Sequence, residues 1–159
     1  MKLHAAFNAA LGEAVSIRSA VVNGVLVVAQ KSPFDPTRKD GEILIVNSPL
    51  LVGDVSFSSN DFQAAFEAYR VLQASGQLLI VNDLAQFKPD NVVDYAGQKE
   101  SGDAKYNVQM LNNGHWAILA SCQHYLGNLK TTRHVENTIE QIDRMAEIYQ
   151  RQDRFFITI

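Results

Sequence analysis

The sequence lacks disulfide-forming cysteine pairs, glycine-rich phosphate loops and long apolar spans. A single cysteine, Cys122, in 159 residues excludes an intramolecular disulfide and gives no sign of a secreted, cross-linked fold. Charged residues make up only 19% of the chain, fewer than in an average globular domain. The net charge of −3 argues against a general polyanion binder. No Gly-x-Ser-x-Gly, Walker A or Gly-x-Gly-x-x-Gly pattern occurs, so neither a serine-hydrolase elbow nor a phosphate-cradling glycine loop has support. No apolar stretch approaches a membrane span. The opening "MKLHAAFNAALGEAV" is too dilute in apolar residues for a signal peptide. These absences lead to the expectation of a cytoplasmic chain without membrane contact.

Apolar residues, by contrast, reach 47%. The length suits one domain spanning 1–159, and a chain of this size buries about 70% of its unfolded surface without help from a metal or disulfide. So little charge beside so much apolar content implies a large core, a surface that meets a partner, or both.

Along the chain, Leu3, Phe7 and Leu11 recur at helical spacing and predict a short amphipathic helix over 2–14. Asn23-Gly24 between two β-branched runs is a strong hairpin signal, because both residues tolerate positive φ. "KSPFDPTRKDG" predicts an exposed loop over 31–41. "EILIVN" and "DVSFS" predict strands. Ser58 three residues before Asp61 is a weaker version of the capping box, and Phe62, Ala65, Phe66, Tyr69 and Leu72 are expected to form the buried stripe of the helix it opens. Gly76 ends that helix before the strand "QLLIVND". Residues 84–104 carry the weakest periodicity, and 97–104 predict a loop. "KYNVQMLNNGHWAILASCQ" predicts a second hairpin turning at Asn113-Gly114. A long helix from Thr131 or Thr132, with Val135, Ile139, Ile142 and Met145 inward, precedes a final strand "RFFITI". The segments "EAYRVLQASGQLLIV" and "RMAEIYQRQDRFFIT" align loosely, which raises the alternative of a duplicated hairpin–helix–strand unit.

The expected fold is therefore α+β: a mainly antiparallel sheet from two hairpins plus added strands, two longer helices on one face and a short N-terminal helix. The runs "VLVV", "ILIV", "LLIV" and "FFITI" are continuous rather than alternating, and imply cover on both faces. Long loops, a second sheet layer or another copy of the chain could supply it.

Candidate chemistry concentrates in "NNGHWAILASCQH", residues 112–124. His115-Trp116 ahead of an apolar run resembles, in outline and over a handful of residues, the histidine strand of papain-like cysteine peptidases. On one regular strand, however, His115 and Cys122 stand about 23 Å apart and point to opposite faces. "ILASCQ" also offers no electropositive setting to activate a thiol. Cys122, His124, His115 and His134 lack the spacing of a metal site, and no cofactor is indicated. Three carboxylates, Asp83, Asp90 and Asp94, follow a strand, where acid–base residues often lie. Trp116 reads as a core anchor or the rim of a pocket with Asn113 beside it. Lys31, Arg38 and Lys39 in one loop and Lys130 and Arg133 in another could reach phosphates only if folding joined them, which makes nucleic acid an unfavoured partner.

The leading functional expectation is a non-catalytic protein-binding or assembly module that self-associates. The alternative is a small hydrolase or lyase using His115 with Asp83 or Asp94, and the third a nucleic-acid accessory protein.

Overall fold

The computed structural model describes residues 1–130. The long helix and the final strand expected beyond 130, together with His134 and Arg133, lie outside them. The chain divides into two compact units, Met1–Tyr125 and Leu126–Ile159, and the architecture below is that of the first.

The fold is α+β. Strands β1 (Lys2–Phe7), β2 (Val15–Val22), β3 (Val25–Pro33), β4 (Glu42–Val46), β5 (Val55–Ser56) and β6 (Leu78–Ile80) form a mixed sheet in the order β5-β4-β1-β2-β3-β6. β2 runs antiparallel to β1 and β3, whereas β4 joins β1, β5 joins β4 and β6 joins β3 in parallel. Helix α1 (Phe62–Ala74) carries the chain from the β5 edge to the β6 edge. A separate hairpin, β7 (Asp94–Gln98) with β8 (Ala104–Asn107), leads to helix α2, which runs over 113–130. Among the described residues, no helix is long and apolar enough to cross a membrane.

Local signals explain much of this. The β2–β3 hairpin turns at Asn23 (φ 51°) and Gly24 (φ 78°), the left-handed pair that a two-residue turn needs to match strand twist. Ser58 accepts from the Asn60 N–H, and Asp61 reaches back to the Ser58 N–H, so the capping box forms as read. The α1 stripe Phe62, Ala65, Phe66, Tyr69 and Leu72 is buried. Gly76 follows the helix with φ 71°.

Register fixes two distinct sheet faces. Leu3, Ala5 and Phe7 share one face with Val15, Ile17, Ile45 and Val28, and this face meets the helices. There Phe7 stacks on Phe57 at 5.7 Å, Phe57 meets Trp116 of α2 at 5.7 Å, and Trp116 meets Phe62 of α1 at 5.8 Å. On the opposite face, Phe34 and Leu51, from the loops before and after β4, pack on Ala6, Leu44 and Val46. Loops thus cover the second face of β1 and β4, and this is why their apolar runs do not alternate.

Two expectations are corrected. No N-terminal helix forms: Lys2–Phe7 is a strand paired on both sides. Leu3 and Phe7 lie four apart and share a face in a strand as well as in a helix. Burial of every residue from Leu3 to Phe7 hides the period-two signal. Nor does a hairpin turn at Asn113-Gly114: this dipeptide opens α2, and the second hairpin lies earlier, at β7–β8. Every residue from 113 to 122 is buried, so the continuous run "HWAILASC" reflects a helix covered all round. A Cβ on Gly114 would stand 2.2 Å from the Phe87 ring. Glycine is required there by close packing, not by a turn. The second unit of the suggested duplication therefore has no hairpin at Asn113-Gly114, and its expected helix and final strand lie outside the described residues.

Candidate functional site

The start of α2 uses each polar residue that the sequence singled out. Asn112 is the N-cap: its side chain accepts from the His115 N–H at 3.2 Å, and its own N–H donates to His115 Nδ1 at 3.0 Å. This is a reciprocal capping box with histidine in the position usually held by glutamate. Because Nδ1 accepts, Nε2 carries the proton and donates to the Gln86 carbonyl at 3.1 Å. Both ring nitrogens of His115 are thus engaged by backbone groups, and burial holds its pKa below the ordinary value. Of the carboxylates expected beside it, Asp94 is exposed on β7, while Asp83 borders a different cavity with Arg18 and Lys39. Asp90 accepts from the Tyr69 hydroxyl at 3.0 Å. Cys122 is fully buried, and that burial pushes its thiol pKa up. Among the described residues, no group of three or more His, Cys, Asp or Glu is placed to hold a metal ion.

Asn113 is buried and bound on all sides. Its Oδ1 accepts from the Ala10 N–H at 2.9 Å and from Asn47 Nδ2 at 3.3 Å, while its Nδ2 donates to the Ala10 carbonyl at 3.1 Å. Asn47 Oδ1 in turn accepts from the Asn8 and Ala9 N–H groups at 2.9 and 3.2 Å. Two asparagines from distant segments therefore fix the loop that follows β1.

That loop is one wall of a crevice. β1, β4 and β5 are parallel neighbours, so their carboxyl ends lie together. The chain leaves β1 toward β2 on one side and leaves β4 toward β5 on the other, which opens a gap between β1 and β4. Open sheets with parallel strands bind ligands at such switch points. A cavity of about 500 Å³ occupies this one, lined by Ala9 and Ala10, by Asn47, Ser48 and Pro49, by Ser56 to Ser59, and by Trp116. The volume is in the range of small-molecule sites. Its walls combine hydroxyls and an amide with Trp116 and Phe57. None of these residues carries a side chain that titrates near neutrality, and a serine hydroxyl needs an adjacent base to become a nucleophile.

Trp116, read in the sequence as a core anchor or the rim of a pocket, is buried in the core and also lines the crevice. Sequence reasoning missed Asn47, Ser48 and Ser56, which arrive from separate loops with no shared spacing. It read Ser58 only as a cap.

A second polar cluster lies on the loop-covered face. His4 Nε2 is 2.9 Å from Ser16 Oγ, and His4 Nδ1 is 3.8 Å from Glu42 Oε1. Serine, histidine and glutamate in this order suggest a catalytic triad, but the hydrogen bonds argue otherwise. Ser16 Oγ accepts from the Asp35 N–H at 3.0 Å and donates to the Asp35 carbonyl at 3.2 Å. His4 must then donate from Nε2, leaving Nδ1 to accept from Arg18 Nη2 at 3.4 Å. Glu42 is held instead by Arg18 Nε at 3.0 Å and by the Lys39 N–H at 2.9 Å. Both His4 and Ser16 are fully buried. The cluster latches the 34–41 loop to the sheet, with its polar groups satisfied as burial demands.

Comparison of the chain with known protein families, curated proteins and solved structures finds no match.

The buried histidines set a pH dependence. Burial, aided at His4 by Arg18, lowers the pKa of His4, and burial alone lowers that of His124 as it does that of His115. The folded state holds neutral rings, so below the ordinary value near 6.5 the unfolded chain binds more protons. Stability is complete above that value and falls as pH drops through it, by up to about 1.4 kcal/mol per pH unit for each fully buried ring. For Glu42, burial works upward, but the Lys39 N–H and Arg18 outweigh it and hold its carboxyl below the ordinary range; its contribution is lost only at lower pH. Urea midpoints measured from pH 8 to pH 5 should fall steadily below about 6.5, and a flat profile down to pH 5 would contradict the neutral-histidine assignment.

Proposed function

We propose that this chain is a non-catalytic binding module whose ligand is a small, uncharged polar molecule held in the crevice between β1 and β4. The observation that carries this reading is the lining: serine and asparagine side chains beside Trp116 and Phe57, with no ionisable group. Hydroxyls both donate and accept, which suits a hydroxylated ligand, and the aromatic wall suits its apolar face. An anion is disfavoured, because Asp61 already places a carboxylate in the first turn of the helix that borders the site. Trp116 is the only tryptophan, so its fluorescence reports on the crevice directly. Titration with a panel of neutral saccharides and nucleosides should give a saturable change for at least one class, lost in Ala9→Leu, which fills the cavity. Absence of a saturable response across the panel, in protein that unfolds cooperatively, would remove the reading.

Self-association is the second reading, favoured by a specific patch. Register places Ala20, Val22, Val25, Val27 and Leu79 on one face of β2, β3 and β6. Val22 and Leu79 are each 54% exposed there. Exposed apolar side chains gathered on one sheet face commonly mark an interaction site. Sedimentation at several concentrations should give a mass above the monomer that Leu79→Lys returns to monomer. A strict monomer throughout would end this reading and leave the crevice reading intact.

A further inference from the structure

A second cavity, of about 590 Å³, lies across the sheet's β2–β3 hairpin on the face carrying the Arg18–Glu42 latch, and it differs from the crevice in kind. Its lining includes Arg18, Gln30, Lys31, Ser32 and Lys39, with Asp83 as the one carboxylate. From this donor-rich lining and the fixed guanidinium at its border, we infer that the cavity is a binding site for a small oxyanion, a phosphate or carboxylate group on a low-molecular-weight ligand.

Arg18 is the anchor. Its side chain is only 15% exposed and is held in place by Glu42 Oε2 on Nε, Ser32 Oγ on Nη1 at 3.3 Å and His4 Nδ1 on Nη2 at 3.4 Å. A guanidinium has five N–H donors; three have these partners, which leaves two for a ligand. An arginine fixed before binding loses little freedom on binding, and its planar fork matches carboxylate and phosphate oxygens. Lys39, on the latched loop, supplies a second cation whose ammonium has no ion-pair partner among the described residues. Lys31 is already engaged, its ammonium 3.6 Å from Glu13 and 5.2 Å from the Phe87 ring centre. Opposite Arg18, β3 carries a bulge: Arg18 pairs with Gln30 and Ser19 with Val28, so Ala29 is an extra residue. Bulges re-aim neighbouring side chains and recur beside binding sites; here the bulged residue and Gln30 both border the cavity. Asp83, at the rim, is suited to receive a hydroxyl or ammonium group on the same ligand.

The site is independent of the crevice and is tested separately. Sodium phosphate and sodium succinate are titrated by calorimetry against sodium chloride at matched ionic strength, with wild type, Lys39→Ala and Arg38→Ala. Arg38 is a cation of the same loop, ion-paired with Asp54 at 2.8 Å, and serves as the control for general charge. Saturable binding of either probe, weakened about tenfold by Lys39→Ala and unchanged by Arg38→Ala, supports the site. Phosphate alone, succinate alone or both then identifies the oxyanion it prefers. No saturable heat beyond chloride from either probe overturns the inference, as does equal weakening by the two variants.

Discussion

The first turn of α2 is the constraint on which the rest of the structure depends. Within five residues it carries an N-cap (Asn112), a clamp on the β1 loop (Asn113), a contact that excludes any side chain (Gly114), the reciprocal cap (His115) and an aromatic anchor (Trp116). A helix buried on every side cannot leave its first N–H groups to water, so they must be satisfied by the chain itself. The Asn113 N–H donates to the Leu11 carbonyl, the His115 N–H donates to the Asn112 side chain, and the Nε2–H of the same histidine ties down the 3-10 segment Asn82–Phe87 through the Gln86 carbonyl. Phe87, at the end of that segment, can then lie directly on Gly114. Packing and capping are one arrangement here: a larger residue at 114 would displace Phe87, and with it the carbonyl that His115 holds.

The crevice depends on the same turn. The clamp from Asn113, with Asn47, holds the Ala9–Ala10 side of the crevice, and Trp116, one helical turn from the cap, lines it with Phe57. The crevice is thus built on rigid elements, which favours a preorganised site over one that forms around its ligand. The other face of the sheet is organised by polar groups instead. His4, Ser16, Arg18 and Glu42 come from three strands, and their network holds the 34–41 loop while leaving Arg18 at the edge of the second cavity. Burying an ion pair is seldom a gain in stability by itself; the proposed oxyanion site would give this cluster a role beyond holding the loop.

Elements whose signals are local were legible in the sequence. Asn23-Gly24 demands left-handed backbone wherever it turns, and Ser58 with Asp61 closes a box within four residues. The α1 stripe is regular because one of its faces remains wet. Signals failed where burial erased periodicity. β1 is covered on both faces, so Leu3 and Phe7 looked helical, and α2 is covered all round over 113–122, so "HWAILASC" looked like a strand. Asn113-Gly114 misled for a sharper reason: the same dipeptide that makes a hairpin serves here as a clamp and a steric gap, and only the positions of Ala10 and Phe87 distinguish the two. The crevice could not be read at all, since Asn47, Ser48, Ser56 and Trp116 meet only once β1, β4 and β5 are aligned in parallel. His4 was lost with the misread strand, and with it the polar latch.

The claim that the first turn of α2 holds the crevice wall is tested most directly by amide hydrogen exchange in Asn113→Ala. The account predicts that the Asn8, Ala9 and Ala10 amides lose protection by about an order of magnitude or more, while amides of β2 and β3 paired within the sheet exchange as in the unaltered chain. Unchanged protection at Ala10, in a variant that remains folded, would contradict it and place the support of that loop elsewhere.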